Sequence, residues 1–169
     1  AYSLGYCVHT WEMFVVRSWG VTFLTFAMVH NEVVPLILLP TVIAMVMEVS
    51  GTAASVAGNE LAMRFGRQRW ILGVMTACMV CACFIGFSAG LGYLAAGAAC
   101  LVYNMLIYAD SAALTAGTVG SAEPERKGAT LALHSLLGYS GGFVGPLVMG
   151  LLLDDLGGET VANWGLGFS

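Results

Sequence analysis

The chain alternates long apolar segments with short polar breaks. Each apolar segment has about the length that an α-helix needs to cross the hydrocarbon core of a bilayer, roughly 20 residues. The segments cover residues at about 4–29, 33–57, 70–87, 92–119 and 129–153, and a further segment starts at about 161. This pattern predicts an all-α fold, a polytopic membrane helical bundle with five transmembrane helices, formed by residues 1–169 as one unit.

The two prolines of the second segment are expected to act differently. Pro35 falls in the first turn, where a missing N–H matters little because that N–H has no partner within the helix. Pro40 lies deeper in the segment, and we expect it to kink the helix.

The composition also points to a membrane protein. Hydrophobic residues make up 59% of the 169 positions, charged residues 9%, and mean hydropathy is +0.85. Average soluble domains carry about 25% charged residues, so a soluble fold of this size lacks the charge to cover its surface. No basic region precedes a short apolar core and a cleavage site, so no signal peptide is predicted. Because the chain opens and stops within apolar segments, we expect it to be a fragment of a longer protein.

All five cysteines lie in apolar runs rather than in polar breaks: Cys7, Cys78, Cys81, Cys83 and Cys100. The run ACMVCAC contains a C-x-x-C, but nothing nearby supplies the second half of a zinc site. We interpret the cysteines as small apolar packing residues, and we predict no metal site and no cofactor.

Basic residues predict the orientation in the membrane. Five of the six lie in the breaks at 58–69 and 120–128: Arg64, Arg67, Arg69, Arg126 and Lys127. The alternate breaks hold no Lys or Arg, and basic loops stay in the cytoplasm. We therefore expect residue 1 and both basic loops on the cytoplasmic side of a multi-pass protein, in a bacterial inner or plasma membrane.

The first basic loop resembles the signature of the major facilitator superfamily of secondary transporters, roughly G-x-x-x-D-R-x-G-R-R between the second and third helices of each half. The stretch LAMRFGRQR supplies Leu61, Ala62, Arg64, Phe65, Gly66, Arg67 and Arg69. Met63 stands where the family has Asp, and Asn59 where it has the first Gly. In the family that Asp makes a charge-assisted contact across the cytoplasmic gate, a role for which Glu60 is the available substitute.

The resemblance extends along nearly the whole chain. Residues 1–19 are similar to the first helix of the C-terminal half of some bacterial members, and residues 109–154 to their tenth and eleventh helices. The resemblance implies helices seven to eleven and the start of the twelfth. It also implies that a missing N-terminal half of the same protein is the partner that completes the pathway.

Ionisable residues inside the apolar segments are candidates for function, because each is unfavourable in a membrane by a few kcal/mol. His9 and Glu12 are three apart and share a helix face. Arg17 is five beyond Glu12, about 140° round the helix, so the two are expected to find partners on other helices. Partners are available on the second, fourth and fifth segments.

We predict a substrate and proton pathway formed by His9, Glu12, Arg17, Asn104, Tyr108 and Asp110, with Glu48, Glu60 and His134 as possible gate residues. The resemblance implies a cavity lined by the first and fourth segments. Protonation of Glu12 is the preferred coupling event. Two alternatives stay open, an Arg17–Asp110 structural ion pair and an interfacial His134.

The fifth segment carries a row of small residues at four-residue spacing: Gly138, Gly141, Gly142, Gly145 and Pro146. Small residues at this spacing let helices approach closely. We expect a tight helix contact there, and one that is compatible with rocking during alternating access.

The predicted function is therefore secondary active transport of a small solute by alternating access, coupled to protons, with no enzymatic activity and no nucleic-acid partner. Two alternatives come from other classes. One is a truncated product that acts as a membrane scaffold without transport. The other is a membrane redox protein using His9, His30 and His134 as ligands.

Overall fold

A computed structural model of the chain describes residues 1–31 and 38–169. These residues form α-helices and short 3₁₀ turns without a strand. The helices are α1 (Tyr2–His30), α2 (Pro40–Phe65), α3 (Arg67–Ile85), α4 (Tyr93–Ser121), α5 (Lys127–Asp155) and α6 (Val161–Phe168), with 3₁₀ turns at Gly86–Leu91 and Pro124–Arg126. Five of them are long and apolar enough to cross a membrane. The predicted all-α membrane bundle is confirmed.

The second helix differs from its predicted range of 33–57. It starts at Pro40 and continues to Phe65, while residues 33–37 lie outside the described residues. The predicted kink at Pro40 is wrong, because Pro40 occupies the first turn, where the absent N–H breaks no helical hydrogen bond.

The predicted loop at 58–69 is almost entirely helical. Gly66 alone separates α2 from α3, with a φ of 92° that favours glycine over residues with a side chain. The polar residues before it continue α2, supported by an ion pair between Arg64 Nε and Glu60 Oε1 at 3.2 Å, one turn apart. These polar residues therefore mark the point at which α2 leaves apolar surroundings, while the helix itself continues to Phe65.

α4 lies at the centre of the bundle. It packs along α2 on one side and along α1 and α3 on others, while α1 packs in turn along α5. The α2–α4 contact is close because Gly58 has no side chain, since a Cβ there would lie 1.9 Å from the carbonyl oxygen of Ala109. This approach brings polar side chains of α2 and α4 within reach of each other.

The glycine row of α5 lies directly against α1, and we call this contact the glycine seam. A Cβ added to any of these glycines would lie 3.0 Å or less from an atom of α1: Gly138 from Tyr6, Gly141 from Cys7, Gly142 from Phe14 and Gly145 from Trp11. The seam continues at Pro146, whose carbonyl accepts a hydrogen bond of 3.0 Å from Trp19 Nε1. The bare backbone of α5 thus lets large side chains of α1 lie flat against it.

The two basic connections lie at the same end of the bundle, which we call the basic end. Residue 1 is there too, since Tyr2 packs against Gly117 near the end of α4, and the Arg67 guanidinium lies near Gly120. At the opposite end Asn31 Nδ2 donates to the Ala89 carbonyl at 3.2 Å. This agrees with the predicted grouping of the loops, and the compartment that the basic end faces stays a prediction.

α6 closes the opposite end of the bundle. Trp164 is fully buried and packs edge-on against Phe23 of α1, with a ring-centroid separation of 5.3 Å. Gly86 makes room for it, because a Cβ there would lie 2.1 Å from the Trp164 carbonyl oxygen.

Candidate functional site

The structure gathers polar side chains of α1, α4 and α5 inside the bundle. We call this group the interior cluster: Tyr6, His9, Glu12, Tyr103, Asp110 and His134. At its centre His9 Nδ1 lies 2.9 Å from Asp110 Oδ1, and both side chains are almost fully buried. A carboxylate and an imidazole at this distance attract each other strongly when the ring carries its second proton.

The His9–Asp110 contact is ionic in geometry rather than a well-formed hydrogen bond. Although the two atoms are 2.9 Å apart, neither His9 Nδ1 nor Asp110 Oδ1 makes a hydrogen bond of good geometry among the described residues. His9 Nε2 is likewise buried without such a partner. Buried polar atoms without partners are rare in folded proteins, and they are frequent at functional positions.

Tyr6 connects the two histidines. Its ring stacks on that of His134 with centroids 4.0 Å apart and on that of His9 with centroids 5.5 Å apart. His134 Nδ1 lies 3.0 Å from Thr118 Oγ1 of α4. His134 is only 3% exposed and so packs inside the bundle, while its depth relative to the membrane surface stays a prediction.

The Glu12 side chain lines a cavity of about 340 Å³ next to the rest of the interior cluster. The cavity is otherwise mostly apolar, with Trp11, Tyr103 and Phe168 in its wall. Tyr103 lies on the same face of α4 as Asp110, two turns away from it. The described residues give Glu12 no basic partner.

A second polar group lies on the flank of the bundle, where α1, α2 and α4 meet. We call it the flank triad: Arg17, Glu48 and Tyr108. Arg17 Nη2 lies 2.6 Å from Glu48 Oε2 and donates to the Tyr108 hydroxyl at 2.5 Å. The Tyr108 hydroxyl in turn donates to Glu48 Oε2 at 2.9 Å. The Arg17–Asp110 ion pair considered from the sequence is therefore wrong, since the partner of Arg17 is Glu48 and that of Asp110 is His9.

The side chains of the flank triad are partly exposed although they lie near the middle of membrane-spanning helices. Arg17 and Tyr108 lie next to the midpoints of two 29-residue helices, α1 and α4. The Arg17 and Glu48 side chains are nevertheless 42% and 45% exposed. A groove of about 190 Å³ runs beside the ion pair between α1 and α2.

The polar residues predicted on α4 divide between the two groups. Tyr108 and Asp110 are two residues apart and so point about 200° from each other. Tyr108 and Asn104 face α2, where Asn104 Nδ2 donates to the Met47 carbonyl at 2.6 Å. Asp110 faces α1. Asn104 is buried and paired with backbone, so its observed role is to hold α4 on α2.

The signature residues lie near the basic end, away from both polar groups. Glu60 pairs with Arg64 of its own helix, so no contact across a gate is observed for it here. Arg67 lies near the end of α4, Arg69 is exposed, and Leu61 is half-buried.

Sequence reasoning missed Tyr6 and Tyr103, which belong to the interior cluster, and Thr118, which contacts His134. Tyr103 is seven residues before Asp110 and therefore on the same face of α4. Thr118 lies two further turns along that face. A polar stripe at this spacing in an apolar helix was the signal that identifies them.

The histidines do not form a metal or haem site of the kind that the redox alternative needs. His9 and His134 share Tyr6, but His30 lies at the far end of α1 and stacks on Phe26. Within residues 1–31 and 38–169, no three His, Cys, Asp or Glu side chains are placed to hold one metal ion.

No protein-family model matches the chain, and its comparison with curated proteins and with solved structures gave no match either.

Proposed function

We propose that the chain is part of a secondary transporter of the major facilitator type, which moves a small polar solute by alternating access and couples that movement to protons. The flank triad is the observation that carries the proposal. It supplies a charged surface at mid-membrane, and the interior cluster supplies protonatable groups behind it.

The charges of the flank triad restrict what can surround it in a membrane. Hydrocarbon does not solvate an ion pair, and charged side chains at mid-membrane face other protein or a water-filled cavity. Arg17 and Glu48 are about half-exposed on this bundle taken alone. The flank therefore faces an aqueous pathway or a second polar helical bundle, which the resemblance makes the missing N-terminal half of the same protein.

The groove beside the triad suits a small solute with polar groups of both kinds. Arg17 supplies donors, Glu48 supplies acceptors, and the Tyr108 hydroxyl supplies both. A solute that competes for these groups would open the ion pair, which gives binding a direct structural effect on the contact of α1 with α2.

The glycine seam supports the helix movement that the proposed mechanism needs. In alternating access, helical units rock against each other around a central site. The seam is a smooth surface on α5, and α1, which carries residues of both polar groups, lies on it.

Thiol labelling tests whether the surface around the flank triad is accessible to water. Thr52 lies one turn from Glu48 and is exposed, and Phe143 is 74% exposed at similar depth on α5. In a protein without its native cysteines, we expect a charged, membrane-impermeant maleimide to label Thr52→Cys and to leave Phe143→Cys unlabelled. In lipid that contains this chain alone, where no second bundle covers the flank, equal protection of both positions would place the flank against hydrocarbon and remove the basis of the proposal.

Proton-coupled flux tests the function itself. The chain, together with the half that completes its pathway, is reconstituted in liposomes that contain a pH-sensitive dye, and small solutes are applied as gradients one at a time. We expect at least one solute gradient to move protons, and Glu12→Gln to abolish this movement. Proton-coupled flux that is unchanged in Glu12→Gln would exclude Glu12 from the mechanism.

A further inference from the structure

We propose that the interior cluster stores two protons, one on His9 and one on Glu12, and that His134 is the group through which they exchange with the basic end. The inference deepens the proposed function, since it assigns the coupling protons to specific atoms. Proton storage itself is measurable without transport.

Four titratable groups determine the charge of the interior cluster. The cluster contains two carboxyl groups, Glu12 and Asp110, and two imidazoles, His9 and His134. The weakly acidic side chains nearest to it are Tyr6 of α1, Cys78 and Cys81 of α3 and Tyr103 of α4. The ion pairs that Lys and Arg make among the described residues lie outside the cluster.

Charge balance then fixes the number of protons. With both carboxyl groups ionised and both imidazoles neutral, the cluster would hold two negative charges inside a membrane-spanning bundle. Uncompensated charges in a low-dielectric interior are strongly unfavourable, and proteins avoid them by taking up protons. Since no Lys or Arg within residues 1–31 and 38–169 forms an ion pair with the cluster, two protons bring its charge to zero.

Geometry assigns the two protons. Asp110 lies 2.9 Å from His9 Nδ1, so an ionised Asp110 and a protonated His9 neutralise each other. Glu12 has no such partner among the described residues and lies in a mostly apolar cavity. The second proton therefore resides on Glu12, and His134 stays neutral between Tyr6 and Thr118.

The exchange route follows from the order of groups along the bundle. Glu12 opens to the cavity, and His9 is one turn closer to the basic end. His134 comes next, because it shares the Tyr6 ring with His9. Thr118 bonds His134 and lies in the last turn of α4. His9 Nε2, buried and without a protein partner, is the free position at which a proton can be received or released.

Infrared spectroscopy of the protein in lipid nanodiscs counts protonated carboxyl groups directly. At neutral pH we expect a carbonyl band equivalent to one protonated carboxyl per chain, lost in Glu12→Gln and retained in Asp110→Asn. Asp154→Asn is the control, because Asp154 is exposed at the end of α5, and it should leave the band unchanged.

His9 variants give the decisive result. Without the imidazolium, Asp110 must take up a proton of its own, so the band should double in His9→Gln and in His9→Asn. Two variants are used so that a folding failure in one leaves the other informative. A band absent at neutral pH in the wild type, or unchanged in a folded His9 variant, would overturn the proposal.

A pH jump tests the role of His134. After a rapid change of pH, the band should respond at least tenfold more slowly in His134→Gln than in the wild type, while its final size stays the same. An unaltered rate would exclude His134 as the exchange group. If the band results hold and no solute gradient moves protons, then the transport proposal fails and the proton store stands.

Discussion

Arg17 is held near the middle of the membrane-spanning region by partners on two other helices. Glu48 supplies the opposite charge, and the Tyr108 hydroxyl bonds both members of the pair. Each side chain therefore depends on the other two, and the loss of one leaves a charge or a hydroxyl without its partner.

Arg17→Gln is expected to lower the free energy of unfolding by about 1 kcal/mol, because Glu48 loses its ion pair on a half-exposed surface. Thermal unfolding in nanodiscs measures this. The double variant Arg17→Gln with Glu48→Gln should recover part of the loss, since no unpaired charge remains. Equal stability of the wild type and Arg17→Gln would mean that the pair does not stabilise the fold.

At the scale of helices, glycines determine which elements approach each other. The α1–α5 contact uses glycine after glycine, and the α2–α4 contact is closest at Gly58. Leu, Phe and Trp side chains fill the wider spaces elsewhere in the core. Helix positions in this bundle are thus fixed by where side chains are absent as much as by where they are large.

Gly141→Ala should disrupt the glycine seam. Its Cβ would lie 2.2 Å from the Cys7 carbonyl oxygen, so the helices must separate, at a loss of roughly 1–3 kcal/mol in stability. Gly128→Ala on the same helix is the matched control, because a Cβ there meets open space. The control should be neutral or up to about 1 kcal/mol more stable. Equal unfolding temperatures for the two variants would contradict the seam.

Gly66→Ala tests the link between α2 and α3. A φ of 92° is unfavourable for alanine, and we expect a loss of about 1–3 kcal/mol. Gly73→Ala, within α3 and facing open space, should show no loss. Thermal unfolding of both variants side by side makes the comparison, and a stable Gly66→Ala would show that the link adopts another conformation.

For the molecule as a whole, hydropathy predicted the five membrane helices because the bilayer imposes their length and composition together. It did not predict the end of α2, since the polar residues from Asn59 to Arg64 mark the edge of the apolar region and still form helix. Polar candidates were found because an ionisable residue in an apolar segment is conspicuous. The partners of these residues could not be predicted from the sequence, because pairing depends on how each helix is rotated about its axis. This rotation places Tyr108 and Asp110 on opposite faces of α4.

The grouping of both basic connections at one end makes a prediction about orientation. Cysteines introduced at Gln68 and Glu125 should react with an impermeant thiol reagent only after the cell membrane is opened. A cysteine at Gly157, at the opposite end, should react in intact cells. The reverse pattern would show that the basic end faces outward.

The single residue between α2 and α3 has a mechanical consequence. A connection this short leaves no slack, so the two helices cannot tilt independently at the basic end. Any movement of α2 that opens or closes the groove beside Glu48 must therefore be transmitted to α3, whose Trp70 Nε1 donates to the Ala109 carbonyl of α4. A displacement on the flank that carries Arg17 and Glu48 would in this way also shift the contact of α3 with α4.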